Sequence, residues 1–192
     1  MSGGQNSRIG LNKAFLVING TLIIDRLISI ANVFAQRMII TNEPKLYENL
    51  GLEVYTDVIP YKGPMSGIHS ALINSKFDDT FVISCDMPFI TLSTIRLIIE
   101  QHNKSDITVP VLDDKTFFVC GVYTKNILEE LTAYLKYGAQ IHKGKSRYFA
   151  LYQLEKMFKI NKININDLSI SKFEFTNINT FDDLKRINSQ NI

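Results

Sequence analysis

Ser2-Gly3-Gly4-Gln5-Asn6-Ser7-Arg8-Ile9-Gly10 sets three glycines among small polar residues, and Lys13 follows closely. Glycine lets backbone amides converge on an anion without a side chain in the way. Arg8 and Lys13 add fixed positive charge, which suits the β- and γ-phosphates of a nucleotide or a departing pyrophosphate. The same composition also suits an unstructured chain start, so the loop alone leaves both readings open. It is neither a P-loop, lacking the Gly-Lys-Ser/Thr ending, nor a dinucleotide fingerprint.

Asp86 follows the apolar run Thr80-Phe81-Val82-Ile83-Ser84 and precedes Pro88. Its carboxylate is expected at the carboxyl end of a buried strand, where ligands of open α/β sheets bind. A hard oxygen there suits Mg²⁺, although an Asp-x-Pro turn or cap is the competing reading. Asp57 lies past a short strand and before a glycine-containing loop, and Asn42 follows a strand ending at Thr41. Asn177 and Asn179 alternate in a strand-like run and are expected on one face. Asn179 equally suits the cap of a last helix, because Asp182 and Asp183 would occupy its first turn. His69, His102 and His142 have no ligand spacing with one another or with Cys85 and Cys120, so neither a paired-cysteine metal site nor a cysteine nucleophile is expected.

The elements that must position these groups follow from periodicity. Apolar residues from Leu22 to Phe34 recur at helical spacing, and Met38 to Thr41 is a short run typical of a buried parallel strand. A helical turn or two over Pro44 to Leu50, a strand at Glu53 to Tyr55 and a helix at Met65 to Ser75 follow. Beyond the strand ending at Ser84, Leu92 to Gln101 reads as helix, Asp106 to Val111 and Phe117 to Tyr123 as strands, and Asn126 to Tyr137 as helix. Arg147 to Phe158 is expected to be helical, Lys159 to Asn166 shows no clear periodicity, and Phe181 to Ile187 is expected as a closing helix. Lys13 to Asn19 reads as extended, closed by the Asn19-Gly20 turn signal. Such alternation predicts a mostly parallel sheet between helix layers.

A chain of 192 residues with 45% hydrophobic side chains fills one domain, so residues 1–192 are read as a single unit. Its 21 basic and 19 acidic residues are interspersed, giving a net charge of +2 with no basic tract for a nucleic acid. No apolar stretch is long enough to cross a membrane and the N-terminus has no signal-peptide pattern, so a cytoplasmic protein is expected.

The glycine-rich loop takes on specificity from its company. Met1-Ser2-Gly3-Gly4, Arg8-Ile9-Gly10 and Lys13 resemble the signature of molybdenum cofactor guanylyltransferases. Three further segments match in order: Asp57 with Gly63-Pro64-Met65-Ser66-Gly67-Ile68, then Cys85-Asp86-Met87-Pro88-Phe89, then Phe175 to Thr180 with Asp183-Leu184. The resemblance implies a three-layer, Rossmann-like nucleotidyltransferase fold. It implies transfer of GMP from GTP to molybdenum-loaded molybdopterin, with release of pyrophosphate and formation of the guanine dinucleotide cofactor. It implies Mg²⁺ on Asp86, and Arg8 and Lys13 with Asp86 as the catalytic set. Met1, Ser2, Gly3, Gly4, Lys13, Asn42 and Asp57 would bind the nucleotide, with Thr41 as an alternative to Asn42. Asn177 and Asn179 would lie near the second substrate or the metal. Cofactor-delivery proteins and recipient molybdoenzymes are the implied partners. CTP or a sugar phosphate in place of these substrates, and a non-catalytic nucleotide-binding module, are the alternatives.

The sequence departs from the pattern at Asn12, Asn6 and Phe181, where aspartate, serine and proline are usual. A larger departure lies at the start, where Met1 stands in place of the last leucine of a central first strand. A sheet without that strand is expected to leave an apolar slot and two unpaired strand edges. The true start is therefore expected roughly ten residues upstream.

Overall fold

The pattern of apolar runs separated by turn signals is realised as a layered α/β fold. The computed structural model describes residue 1, residues 12–60, 63–141 and 149–178, and residues 183, 185 and 187. Ser2, Gly3, Gly4, Arg8 and Asn179 therefore lie outside the described residues, as do His142 and most of the expected closing helix. Asp183, Lys185 and Ile187 are helical.

Asn12 starts the described chain by capping a 3-10 turn at Lys13–Phe15, its side chain accepting from the Ala14 amide. Only Val17–Ile18 of the expected extended piece is strand (β1), paired with Thr21–Leu22 (β2). Asn19 and Gly20 between them have φ of 48° and 78°, the two positive values that a tight hairpin turn with the right twist requires. Helix α1 (Ile23–Ala31) then buries Ile23, Ile24 and Leu27 on one stripe. Strands β3 (Met38–Ile40) and β4 (Glu53–Tyr55) run parallel, joined by two 3-10 turns at Pro44–Leu46 and Glu48–Leu50.

Helix α2 (Pro64–Asn74) opens with proline in its first turn, where the missing N–H costs nothing. Every residue from Met65 to Leu72 is buried, because α2 is covered by the sheet on one side and by α4 (Leu128–Ile141) on the other. Strand β5 (Asp79–Ile83) leads to the Asp86 turn, and α3 (Leu92–Glu100) starts at Thr91, whose side chain accepts from the Thr94 amide. Strands β6 (Ile107–Leu112), β7 (Lys115–Thr116) and β8 (Cys120–Thr124) follow, then α5 (Leu154–Met157) and β9 (Ile160–Asn164).

In the larger sheet β8 is flanked by β5 and β6, both antiparallel to it, and β9 adds to β6 in parallel. Thus β5, β6 and β9 point one way, and β7 and β8 run the other. One apolar cluster gathers Ile23, Leu27, Ile95 and Ile98 from α1 and α3. The other gathers Met65, Ile68, Leu131 and Leu135 from α2 and α4. Helices thus cover both faces, the three-layer arrangement expected of alternating elements.

Four expectations are corrected. Phe117 to Val119 are not strand: the Phe117 amide donates to Pro110 and the Cys120 amide to Phe117, so this segment closes the β6–β7 hairpin before β8 begins. Lys159 to Asn166 contains β9, which hides from periodicity because Ile160 and Ile163 are three apart and its other residues are polar. Within Arg147 to Phe158, the described part is a 3-10 turn at Leu151–Gln153 followed by the single turn of α5. The run around Asn177 is not a strand either: a 3-10 turn occupies Lys172–Phe175, and Thr176 to Ile178 join no ladder.

The expected slot is present. Strands β3 and β4 form a sheet of their own, and no strand among the described residues bridges β3 to β5. Between those two edges lies an apolar cavity of about 520 Å³, lined by Leu27, Ile28, Ile40, Ala71, Phe81 and Ile95 among others.

Candidate active site

Asp86 stands in the turn that leaves β5. The turn is held from α1, where Arg26 Nε donates to the Pro88 carbonyl at 3.3 Å and its guanidinium lies 6.0 Å from the centre of the Phe89 ring. Asp86 Oδ1 is buried and accepts no hydrogen bond. A buried carboxylate oxygen without a donor is costly, and a cation is one partner that would satisfy it.

Asn177 is carried to this turn by its own neighbours. Glu174 accepts from the Thr91 amide at 2.9 Å, the Phe173 ring sits 4.4 Å from Phe89, and Phe175 sits 5.1 Å from Phe117. The chain then reaches Ile178, whose amide donates to the Asp86 carbonyl at 3.1 Å. Asn177 Oδ1 is the second buried oxygen here with no partner. It also lines an open cavity of about 460 Å³ between Asp114–Val119 and Leu151–Glu155. Lys115 at its edge lies 4.5 Å from the centre of the Phe117 ring. Sequence reading missed this cavity. Its one local signal is the Asp113-Asp114 pair, both at positive φ, which turns β6 into β7.

Asn42 and Asp57 come together at the carboxyl ends of the parallel strands β3 and β4. Asn42 Nδ2 donates to Asp57 Oδ2 at 2.9 Å. Burial pushes the Asp57 carboxyl above its ordinary value, and the Asn42 bond pulls it partly back. Thr41, the competing position, is buried at 2% exposure and its hydroxyl accepts from the Glu43 amide. Asn42 is therefore the exposed one of the two.

Lys13 is tied to this strand end through Asn12. Tyr47 donates its hydroxyl to Asn12 Oδ1 at 3.1 Å, and Asn12 Nδ2 donates to Glu43 Oε2 at 2.8 Å. This explains why asparagine replaces the usual aspartate: a carboxylate would cap the turn equally well but would repel Glu43 instead of donating to it.

The remaining titratable groups keep to structural roles. Burial drives the Cys120 thiol far above its ordinary value, which leaves no thiolate for nucleophilic work. His69 Nε2 lies 2.8 Å from Thr132 Oγ1, and that hydroxyl donates to the Leu128 carbonyl, so Nε2 donates, while burial and then Lys136 push the imidazole below its ordinary value. His102 Nδ1 meets Thr108 Oγ1 at 2.8 Å. Among the described residues no three His, Cys, Asp or Glu side chains cluster as a metal site.

The family model for the MobA-like NTP transferase domain matches residues 1–153. The chain belongs to the MobA-like NTP transferase family. A probable molybdenum cofactor guanylyltransferase from Clostridium perfringens (strain 13 / Type A) is 30% identical over 95% of this chain and 91% of its own length. Another from Pelotomaculum thermopropionicum is 32% identical over 96% of this chain and 87% of its own. The crystal structure of the molybdopterin-guanine dinucleotide biosynthesis protein A from Archaeoglobus fulgidus superposes with a TM-score of 0.78 at 24% identity, covering 98% of this chain and 95% of that one. As a MobA-like NTP transferase the chain is a nucleotidyltransferase. Asp57 and Asp86 follow β4 and β5, and Asn177 precedes Ile178, whose amide bonds to the Asp86 carbonyl.

Substituting Asp57 by asparagine isolates the cost of burying its charge. The ordinary carboxyl value is 3.8 and the folded value lies above it, so folding favours the protonated form. The stability this contributes is complete below 3.8 and is lost as pH rises through the folded value. Asp57→Asn, neutral throughout, therefore gains in thermal midpoint relative to the parent chain as pH rises to neutrality. On the proposal that Asp57 holds the nucleotide, its KM for the nucleotide should also rise roughly tenfold, the size of one charged hydrogen bond. Parallel melting curves at pH 4 and 7 with steady-state kinetics check both halves.

Proposed function

We propose that the chain transfers GMP from GTP to the terminal phosphate of molybdenum-loaded molybdopterin, releasing pyrophosphate and forming the guanine dinucleotide cofactor. The observation that carries this reading is the unpartnered, buried Asp86 Oδ1 at the carboxyl end of β5. Support comes from the names of the relatives similar to nearly the whole chain.

The donor set suits a hard divalent ion, taken as Mg²⁺: Asp86 offers a carboxylate oxygen and Asn177 an amide oxygen, while the flanking Cys85 and Met87 are buried in the apolar core. Asp86 would hold the ion, which when bound supplies neutralisation of charge on the α-phosphate. A phosphate nucleophile is already ionised near neutral pH, so no strong base is required. The chain's own residues have to align an in-line attack and steady the leaving group. Asn42 and Asp57 hold the nucleotide at the β3–β4 end. Arg8, Lys13 and the amides of Ser2, Gly3 and Gly4 stabilise the departing pyrophosphate. Asn177 and Asn179 would act near the second substrate or the metal, and the cavity beside Asn177 has room for the second substrate. Delivery proteins and recipient molybdoenzymes would exchange cofactor with the same face, in the cytoplasm; no helix among the described residues is long and apolar enough to cross a membrane.

The test is pyrophosphate release by the purified chain with Mg²⁺, molybdenum-loaded molybdopterin and either GTP or CTP. Release with GTP well above that with CTP is expected. Preference for CTP moves the chain to cytidylyl transfer, and GTP binding without any release makes it a binding module.

A further inference from the structure

The cavity beside Asn177 carries a cation on a rigid wall. Phe117 forms that wall, and both of its peptide groups are committed: its amide donates to the Pro110 carbonyl and its carbonyl accepts from the Cys120 amide, each at 3.0 Å. The Phe117 side chain is buried, and its ring meets that of Phe175 edge-on just before the chain reaches Asn177. The Lys115 ammonium rests 4.5 Å from the centre of the Phe117 ring. A ring face attracts a cation without cancelling its charge, so Lys115 keeps its place and stays available to an anion.

The neighbouring charges are compensated elsewhere. Lys172 pairs with Asp113 at 3.1 Å, and Lys162 pairs at 3.1 Å with Glu155, the carboxylate on the opposite wall of the cavity. Among the described residues no carboxylate lies within ion-pair distance of Lys115. Asp114 also lines the cavity, from the hairpin turn before Lys115, and opposes any anion that enters. Across from Phe117 the Tyr152 side chain is 49% exposed and offers a flat apolar face. Aromatic walls with a cation at the edge suit an organic phosphate, a flat body with one strongly charged end.

We infer that Lys115 is the residue that recognises the second substrate by its charge, its Nζ donating a charge-assisted hydrogen bond to a phosphate-monoester oxygen of the molecule in this cavity. The inference rests on the reading that the cavity takes the second substrate. A phosphate monoester carries close to two negative charges near neutral pH, enough to draw the ammonium from the ring face. The flexible lysine stem allows that swing while the pinned Phe117 stays in place. A molecule of the same shape without the phosphate leaves Lys115 on Phe117 and gains nothing from it. Asp114 and Lys115 therefore set the affinity in opposite directions, and their balance selects for the charged end of the substrate.

Two measurements test this. In the first, inorganic phosphate alone is titrated into the chain while the Thr116 and Asn177 amides are followed by NMR. Saturable shifts at both are expected. Lys115→Gln should weaken this binding about fivefold or more, Lys115→Arg should retain it, and Asp114→Asn should tighten it about twofold. In the second, Lys115→Gln is expected to raise KM for molybdenum-loaded molybdopterin about tenfold while KM for GTP and kcat stay at the parent values, and Lys115→Arg should recover most of the loss. Absence of pyrophosphate release from the parent chain would defeat the guanylyl-transfer reading and leave the phosphate titration to decide on Lys115. No saturable shift in the parent chain, phosphate binding that Lys115→Gln leaves intact, or a KM for GTP that rises as much as that for the pterin overturns the assignment.

Discussion

Asp86→Ala is expected to lower pyrophosphate release by roughly 10²–10³-fold or more, the scale seen when one preorganised charge-stabilising group is removed from a transition state. The fold should survive. Asp86 Oδ1 accepts no hydrogen bond, so no side-chain bond to it is lost. The bond that joins this turn to the closing segment runs from the Ile178 amide to the Asp86 main-chain carbonyl, which the substitution leaves in place. Deleting an unpartnered buried oxygen also removes a desolvation penalty. Turnover and thermal midpoint measured on one preparation check the prediction. Turnover near that of the parent chain would remove Asp86 from the site.

Gly121→Ala should have the largest effect on stability. The β6–β8 ladder ends at the Thr108–Val122 pair. Just beyond it the strands approach so closely that a Cβ on Gly121 would lie 2.3 Å from the Thr108 carbonyl oxygen and 2.7 Å from Val109 Cγ1. The first contact is with backbone, so relief requires moving a strand at the centre of the sheet. Overpacking of this kind costs about 3 kcal/mol. For a chain of this size that corresponds to a thermal midpoint lowered by about 6–12 °C. Chemical denaturation with an unchanged slope and a lower midpoint would confirm a loss of stability without a change of fold. A variant as stable as the parent would show that β6 shifts at no cost.

The two substitutions differ in how legible their positions are. Asp86 is visible in the sequence because a β-branched, aromatic run of five residues stops at a polar turn, and such runs form strands whose ends bind ligands. Asp57 is visible for the same reason at the end of β4. Gly121 is not visible, because nothing local distinguishes it from a glycine in a turn. Its requirement comes from Thr108 and Val109 on β6, which only strand pairing brings beside it. Strand β9 was hidden too: pairing on the edge of β6 stabilises Ile160–Asn164 although its residues do not alternate in polarity.

What the sequence determined by itself is the order of elements, the family and the chemistry of the separate groups. Local periodicity and turn residues set the elements, and the Asp57, Asp86 and Asn177 segments in their order set the resemblance. The tertiary structure decided how those groups combine. Asn177 reaches Asp86 through Phe173, Phe175 and the Ile178 bond rather than along a strand, and Asn42 is held by Asp57 across two parallel strands. It also left an apolar cavity between β3 and β5, with Met1 hydrogen-bonded to Ile83 at its margin. The physical reason is that pairing, burial and desolvation depend on which distant residues become neighbours, and no local pattern carries that information.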